Sequence, residues 1–389
     1  MAALRRGNGR RLRGGAALSS DPRPVLFVTN HAPAFRTGAF AELHRREEVV
    51  FALVGGGMRH GGAIARADGG AGGAAVAPGA PFPALHVPER AVARLAASGR
   101  YRAVIAGLSG RVALPGAYLG ARRAAVPFVL WATIWAHPRT AAHALSYLPL
   151  RRLYRHADAI VTYGRHVSTY VRAKGARGPV FEAPQSVDDA FWSAHVAEPE
   201  RLAPFQAMFA GRLAREKGLQ VLLKAWRASA LSAPSTALVL VGGGPFRARA
   251  VATGAVTPAG RVDPVRLRNF YAGSDVVVVP SIPTRDFREP WGLVVNEAFD
   301  QGVPVIASDA VGAAAGGLVE HERTGLIVPA GDENALAAAI RRLHDDPGLR
   351  ARLGAAGREA VRAFDHAAWA SGMARALAAA GAGRSQGGC

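Results

Sequence analysis

Two acids and two cations carry the chemistry that this sequence offers. Glu289 and Glu297 stand eight positions apart in Arg288-Glu289-Pro290-Trp291-Gly292-Leu293-Val294-Val295-Asn296-Glu297-Ala298. The apolar run at 276–279 precedes them and Gly302-Val303-Pro304-Val305-Ile306-Ala307 follows, a pattern of strand, loop, helix, strand. Glu289 then falls in the loop and Glu297 on the helix that the loop opens. Such loops lie at the carboxyl ends of parallel strands, where open α/β sheets bind ligands. Acids can accept hydroxyl protons, and main-chain amides at Gly292, Leu293 and Val294 can face phosphate. Together they suit a sugar nucleotide.

The cations sit in Phe209-Ala210-Gly211-Arg212-Leu213-Ala214-Arg215-Glu216-Lys217-Gly218. A strand ends, a glycine turns the chain, and Arg212 and Lys217 lead into a helix. Arg presents a planar fork to phosphate oxygens and Lys a compact point charge. Spacing alone also fits two solvated charges at a helix start. The sequence has no Asp-x-Asp motif, so a metal held that way is not expected, and no other cofactor is implied.

The elements that must position these residues alternate between short apolar strands and amphipathic stretches. Strands are expected at 25–29, 49–54, 104–106, 128–131 and 159–163, with a weaker one at 84–87 between two prolines. After a break at 196–205 a second series begins, with strands at 207–210, 237–241, 276–279 and 326–328. Helices are expected from near Gly38 and at 218–230, 264–271, 332–344, 347–363 and 366–380. This alternation predicts α/β architecture with helix-covered parallel sheets, in two Rossmann-like β/α/β domains facing across a cleft. The expected division is a disordered basic leader at 1–20, a first domain at 21–200, a second at 201–365, and a C-terminal helix and tail at 366–389 crossing back to the first domain.

Composition narrows the class. Of 48 basic residues three are lysine and 45 arginine, and the formal net charge is +20. One reading assigns part of this to codon bias; the other assigns it to an acidic partner such as a sugar nucleotide, an anionic membrane surface or nucleic acid. With no recognised basic motif or aromatic platform, nucleic acid is not an expected partner. The single cysteine, Cys389, excludes an intramolecular disulfide and a cysteine metal site. No apolar run approaches the roughly 20 residues that span a bilayer. A cytoplasmic location is expected. The mixture of apolar and basic residues at 147–155 suits a core-facing helix with a basic outer side, and also allows peripheral contact with the inner face of an anionic membrane.

Taken together, the Gly-Arg-x-x-x-x-Lys-Gly segment and the acid pair resemble the retaining family 4 glycosyltransferases of GT-B fold (glycosyl transferases group 1). The resemblance covers roughly residues 24–365 and is strongest from 205 to 345. It implies that Arg212 and Lys217 contact the donor diphosphate, that Glu289 contacts the donor sugar near the reacting carbon, and that Glu297 binds the ribose hydroxyls. Val262 falls where relatives bind the base through the backbone. His137, in Trp131-Ala132-Thr133-Ile134-Trp135-Ala136-His137-Pro138, falls where relatives reach the donor sugar or acceptor; a structural loop histidine is the alternative. Relatives carry a glycine pair in the loop after the first strand, where only Gly38 stands in place here. In that loop Arg36 suits either phosphate or solvent.

The implied reaction moves a sugar from a nucleoside diphosphate to an acceptor hydroxyl with retention. The acceptor stays open among glycans, lipid-linked glycans and small molecules. Two other activities share the scaffold, since fold does not fix function: a sugar-nucleotide epimerase or glycan phosphorylase, and a non-catalytic sugar-nucleotide-binding protein.

Overall fold

The computed structural model describes residues 21–54 and 80–384, apart from Ser109, Arg111, Thr253 and Ala255. The basic leader at 1–20 lies outside the described residues. The chain forms two parallel sheets. The first contains β1 (Val25–Thr29), β2 (Val49–Leu53), β3 (Ala84–His86), β4 (Ala103–Gly107), β5 (Phe128–Ala132), β6 (Ala159–Thr162) and β7 (Val180–Glu182). Its order is β3-β2-β1-β4-β5-β6-β7. The second contains β8 (Phe205–Ala210), β9 (Thr236–Val241), β10 (Thr257–Gly260), β11 (Val276–Val279), β12 (Val305–Ser308) and β13 (Gly325–Val328), in the order β10-β9-β8-β11-β12-β13.

In each sheet the chain winds one way from a central strand and later returns to that strand's other side. The reversals fall between β1 and β4 and between β8 and β11. Loops leaving those strands diverge to opposite faces and open the crevices in which such folds bind ligands. The Arg212–Lys217 loop leaves β8 and the Glu289 loop leaves β11, so neighbouring strands at one reversal deliver both.

The central strands are buried on both faces, which explains their unbroken apolar runs: all four valines of β11 are buried. Helix Leu219–Ala228 turns Leu219, Leu222, Leu223 and Trp226 inward beneath the second sheet. Aspartates start several helices by accepting main-chain N–H bonds: Asp263 from Arg266, Asp332 from Ala335, Asp346 from Leu349 and Asp365 from Ala368.

Helix His366–Ala379 leaves the second domain and lies on the first. Its Trp369 ring centroid sits 5.6 Å from Phe40 and 5.8 Å from Trp131, inside an aromatic cluster with Phe27. A buried Arg102–Glu47 ion pair anchors the chain beyond this helix. Arg102 donates to the Ala382 carbonyl at 2.9 Å, and the Arg384 N–H donates to Glu47 at 3.2 Å.

One helix and two strands depart from expectation. Helix Ala34–Glu47 begins before Gly38, so Gly38 is not a loop residue; a Cβ there would lie 2.3 Å from the His366 ring. Gly38 is where the first and last helices approach. Strands β7 and β10 are edge strands without a sequence expectation. The proline-bracketed β3 is also an edge, where proline is tolerated.

Candidate active site

The Arg212–Lys217 and Glu289 loops are packed on each other. The Ile282 N–H donates to the Glu216 carbonyl at 3.0 Å. Gly218 has φ +71°, and a Cβ there would stand 1.8 Å from the Pro280 carbonyl oxygen. Glycine is therefore required where the helix behind Lys217 meets the chain leaving β11.

This approach sets the central contact. Lys217 Nζ is ion-paired with Glu289 Oε2, and Ser281 Oγ donates to the same oxygen at 3.0 Å. Glu289 is 6% exposed, so these partners rather than water surround its carboxylate. Lys217 Nζ also lies 5.5 Å from the Phe287 ring centroid. Arg212 is ion-paired with Glu216 on its own loop and remains partly exposed.

Beyond Glu289 the chain turns at Gly292 (φ +98°) into helix Val294–Asp300. Gly292, Leu293 and Val294 thus form the turn and first residue of that helix, as expected. Glu297 lies on it and accepts from Tyr271 Oη at 2.6 Å. Burial raises the Glu297 carboxyl to about 7 against the partial opposition of that hydrogen bond. Tyr271 is raised well above the ordinary tyrosine range, first by burial and then by the Glu297 charge. Val262 follows β10, half-buried against the core.

The first domain reaches the same loop. Trp135 Nε1 donates to the Glu289 carbonyl at 2.9 Å, and Arg288 stacks on the Trp135 ring, 3.6 Å from its centroid. His166 Nε2 lies 3.1 Å from the Pro290 carbonyl. Burial lowers His166 to about 4, so its ring is neutral and the proton that makes this bond sits on Nε2. His137 lines a cleft of about 350 Å³ with Arg139 from the first domain and Thr284, Phe287 and Arg288 from the second.

Lys217, Glu289 and the loop beside His137 are thus brought together, whereas Gly38 is engaged with His366. Arg36 is half-buried rather than turned fully to solvent: it donates to Tyr163 Oη at 2.7 Å and lies 4.6 Å from the Trp131 ring centroid. Trp135, His166, Ser281 and Tyr271 belong to the site although their sequence context does not mark them. Trp135 stood two positions from His137, the only signal available. Among the described residues no three His, Cys, Asp or Glu side chains cluster as a metal site.

Two parallel Rossmann-like sheets, each with a switch-point crevice, define the GT-B fold. The structure superposes on Anabaena HepE in complex with UDP with a TM-score of 0.69 at 19% identity, covering 91% of this chain and 99% of that one. Residues 204–346 match the family of glycosyl transferases group 1. Among curated proteins, the chain is 37% identical over 159 residues to the lipopolysaccharide core biosynthesis glycosyltransferase LpsD of Rhizobium meliloti, covering 39% of this chain and 43% of that protein. It is 35% identical over 170 residues to a D-inositol 3-phosphate glycosyltransferase of Pseudarthrobacter chlorophenolicus, covering 41% and 38%. The matched region thus spans less than half the length of either curated relative.

Proposed function

We propose that this protein transfers a sugar from a nucleoside diphosphate sugar to an acceptor hydroxyl with retention at the anomeric carbon. The observation that carries the reading is the Lys217–Glu289 contact within the switch-point crevice. An ammonium and a carboxylate held side by side match the two halves of such a donor. Phosphate oxygens go to Lys217 and Arg212, and sugar hydroxyls to Glu289. Glu297 takes the ribose, the turn at Gly292, Leu293 and Val294 faces the diphosphate, and Val262 lies toward the base.

Bond breaking at the anomeric carbon sends negative charge onto the departing diphosphate. Fixed cations stabilise that charge as it grows, without metal or cofactor. On the acceptor side the new bond joins the hydroxyl oxygen to the anomeric carbon, and the hydroxyl proton passes to a leaving phosphate oxygen. Retention follows the resemblance to family 4 enzymes. His137, on the cleft wall, is placed to hydrogen-bond a sugar hydroxyl of donor or acceptor. HepE, solved with UDP and with UDP-glucose, supports a sugar nucleotide as the ligand class.

A thermal-shift screen against UDP-, GDP-, ADP- and dTDP-sugars tests the reading. A selective rise with one nucleotide is expected, and its loss in Lys217→Ala locates the ligand. No shift with any sugar nucleotide would refute it.

A further inference from the structure

We propose that the outer face of helix Ala141–His156 is a docking surface for an anionic lipid bilayer. Leu145 is 83% exposed and Leu148 69% exposed, the two highest values for large apolar side chains among the described residues. Successive helical turns put Leu145, Leu148, Pro149 and Arg152 on one outward side, flanked by Arg151, Arg155 and His156, all exposed. Leu153 and Tyr154 are buried and attach the inner side to the body. The helix therefore carries its basic outer side as expected, but two leucines share that side with the arginines.

Leucines turned to water are unfavourable unless something covers them, and the flanking charge indicates the cover. The helix contains no Asp or Glu. The neighbouring helix Ala113–Arg123 extends the same character: Leu119 is 62% exposed, Arg122 and Arg123 are exposed, and Arg122 donates to the His156 carbonyl at 2.6 Å. Apolar side chains ringed by arginine fit an interface where acyl chains meet anionic headgroups. Contact would be peripheral: among the described residues no helix is long and apolar enough to cross a membrane.

The position suits this use. Tyr147, one residue before Leu148, meets His137 ring to ring at 5.2 Å, and His137 lines the cleft. A bilayer on this face would lie beside the cleft mouth.

Co-sedimentation of the full chain with vesicles of phosphatidylcholine alone, or mixed with phosphatidylglycerol, tests the proposal without reference to the reaction. The protein should sediment with the mixed vesicles and not with the neutral ones. Leu145→Ser/Leu148→Ser should lower partition about tenfold or more, and Arg151→Gln/Arg152→Gln about fivefold per arginine. Arg227→Gln/Arg341→Gln removes equal charge from the outer side of the second domain and should leave partition unchanged. Failure to bind the mixed vesicles would overturn the proposal. So would equal binding by the leucine variant, or an equal loss in the Arg227/Arg341 control.

Discussion

Trp135 of the first domain holds the main-chain carbonyl of Glu289 in the second, at 2.9 Å. His166 repeats the arrangement on the next carbonyl, that of Pro290. The carboxylate at the centre of the site is thus placed by its own domain through Lys217 and Ser281, and its backbone is placed by the other. Trp135→Phe keeps an aromatic ring for Arg288 and removes only the donor. One net hydrogen bond is worth about 1 kcal/mol, so turnover should fall about fivefold. Affinity for the sugar nucleotide, measured by calorimetry, should stay within about twofold, since the phosphate contacts are untouched. Normal turnover, or a loss confined to affinity, would remove Trp135 from this positioning role.

Lys217 and Glu289 should behave as a unit. Lys217→Ala and Glu289→Ala are each expected to lower turnover by about 10²-fold or more, the usual loss when one transition-state stabiliser is removed. Each single variant also leaves its partner inside the crevice without its counter-charge. The double variant should therefore lose less than the product of the two single losses. Steady-state rates of the three variants decide this; multiplicative losses would mean that the two groups act independently.

Much of this site was legible because its residues sit in short motifs at strand ends. Arg212 and Lys217 follow the buried run of β8 and Glu289 and Glu297 that of β11, and the apolar character of both runs matches their burial. What was not legible depends on contacts between distant segments. Trp135 and His166 become site residues only because the two domains meet at Glu289 and Pro290, and no local pattern encodes that meeting. The edge strands β7 and β10 escaped for a related reason. Each is short and paired on one side, so its residues carry little apolar signal; β10 even includes Pro258 and Gly260. The family's glycine pair suggests a loop position for Gly38, whereas it lies within helix Ala34–Glu47 and admits a histidine 328 positions away.

With Glu297 on the ribose, as proposed, ligand affinity should depend on pH. Its carboxyl is raised to about 7, chiefly by burial, so it is largely protonated at pH 6 and largely ionised at pH 8. The ionised form accepts hydroxyl protons from a ribose more strongly. Affinity for a sugar nucleotide should therefore tighten as pH rises through about 7, and Glu297→Gln should abolish the dependence. The sugar nucleotide is the proper probe, because a free nucleoside diphosphate titrates in the same range. The stability effect has the opposite sign. A raised folded-state value means that the native protein binds more protons than the unfolded chain between the ordinary value and about 7. Its contribution to stability is full below the ordinary carboxyl range and is lost as pH rises through about 7. Asp300, raised to about 7 by burial first and then by Asp189 and Glu297, adds to the same slope. Thermal melts of Glu297→Gln and Asp300→Asn from pH 5 to pH 8 should show shallower declines than the parent; identical slopes would show that these carboxyls titrate normally.

Gly38 and His366 join the first helix to the last, and their contact separates a packing role from a ligand role. A methyl at position 38 would overlap the imidazole, which is itself held by Ser186 Oγ at 2.8 Å from Nδ1. Gly38→Ala should therefore destabilise the protein by about 1–3 kcal/mol, the usual effect of overpacking. Introduced into His366→Ala, the same methyl no longer meets the imidazole and should have little effect, so the two substitutions should couple by about 1 kcal/mol or more. Melting temperatures of the four proteins of this cycle measure the coupling. The sugar-nucleotide affinity of the double variant then distinguishes the two roles: a residue whose work is to let two helices approach leaves affinity unchanged once the approach is relieved, whereas a donor contact at Gly38 would weaken it regardless of His366.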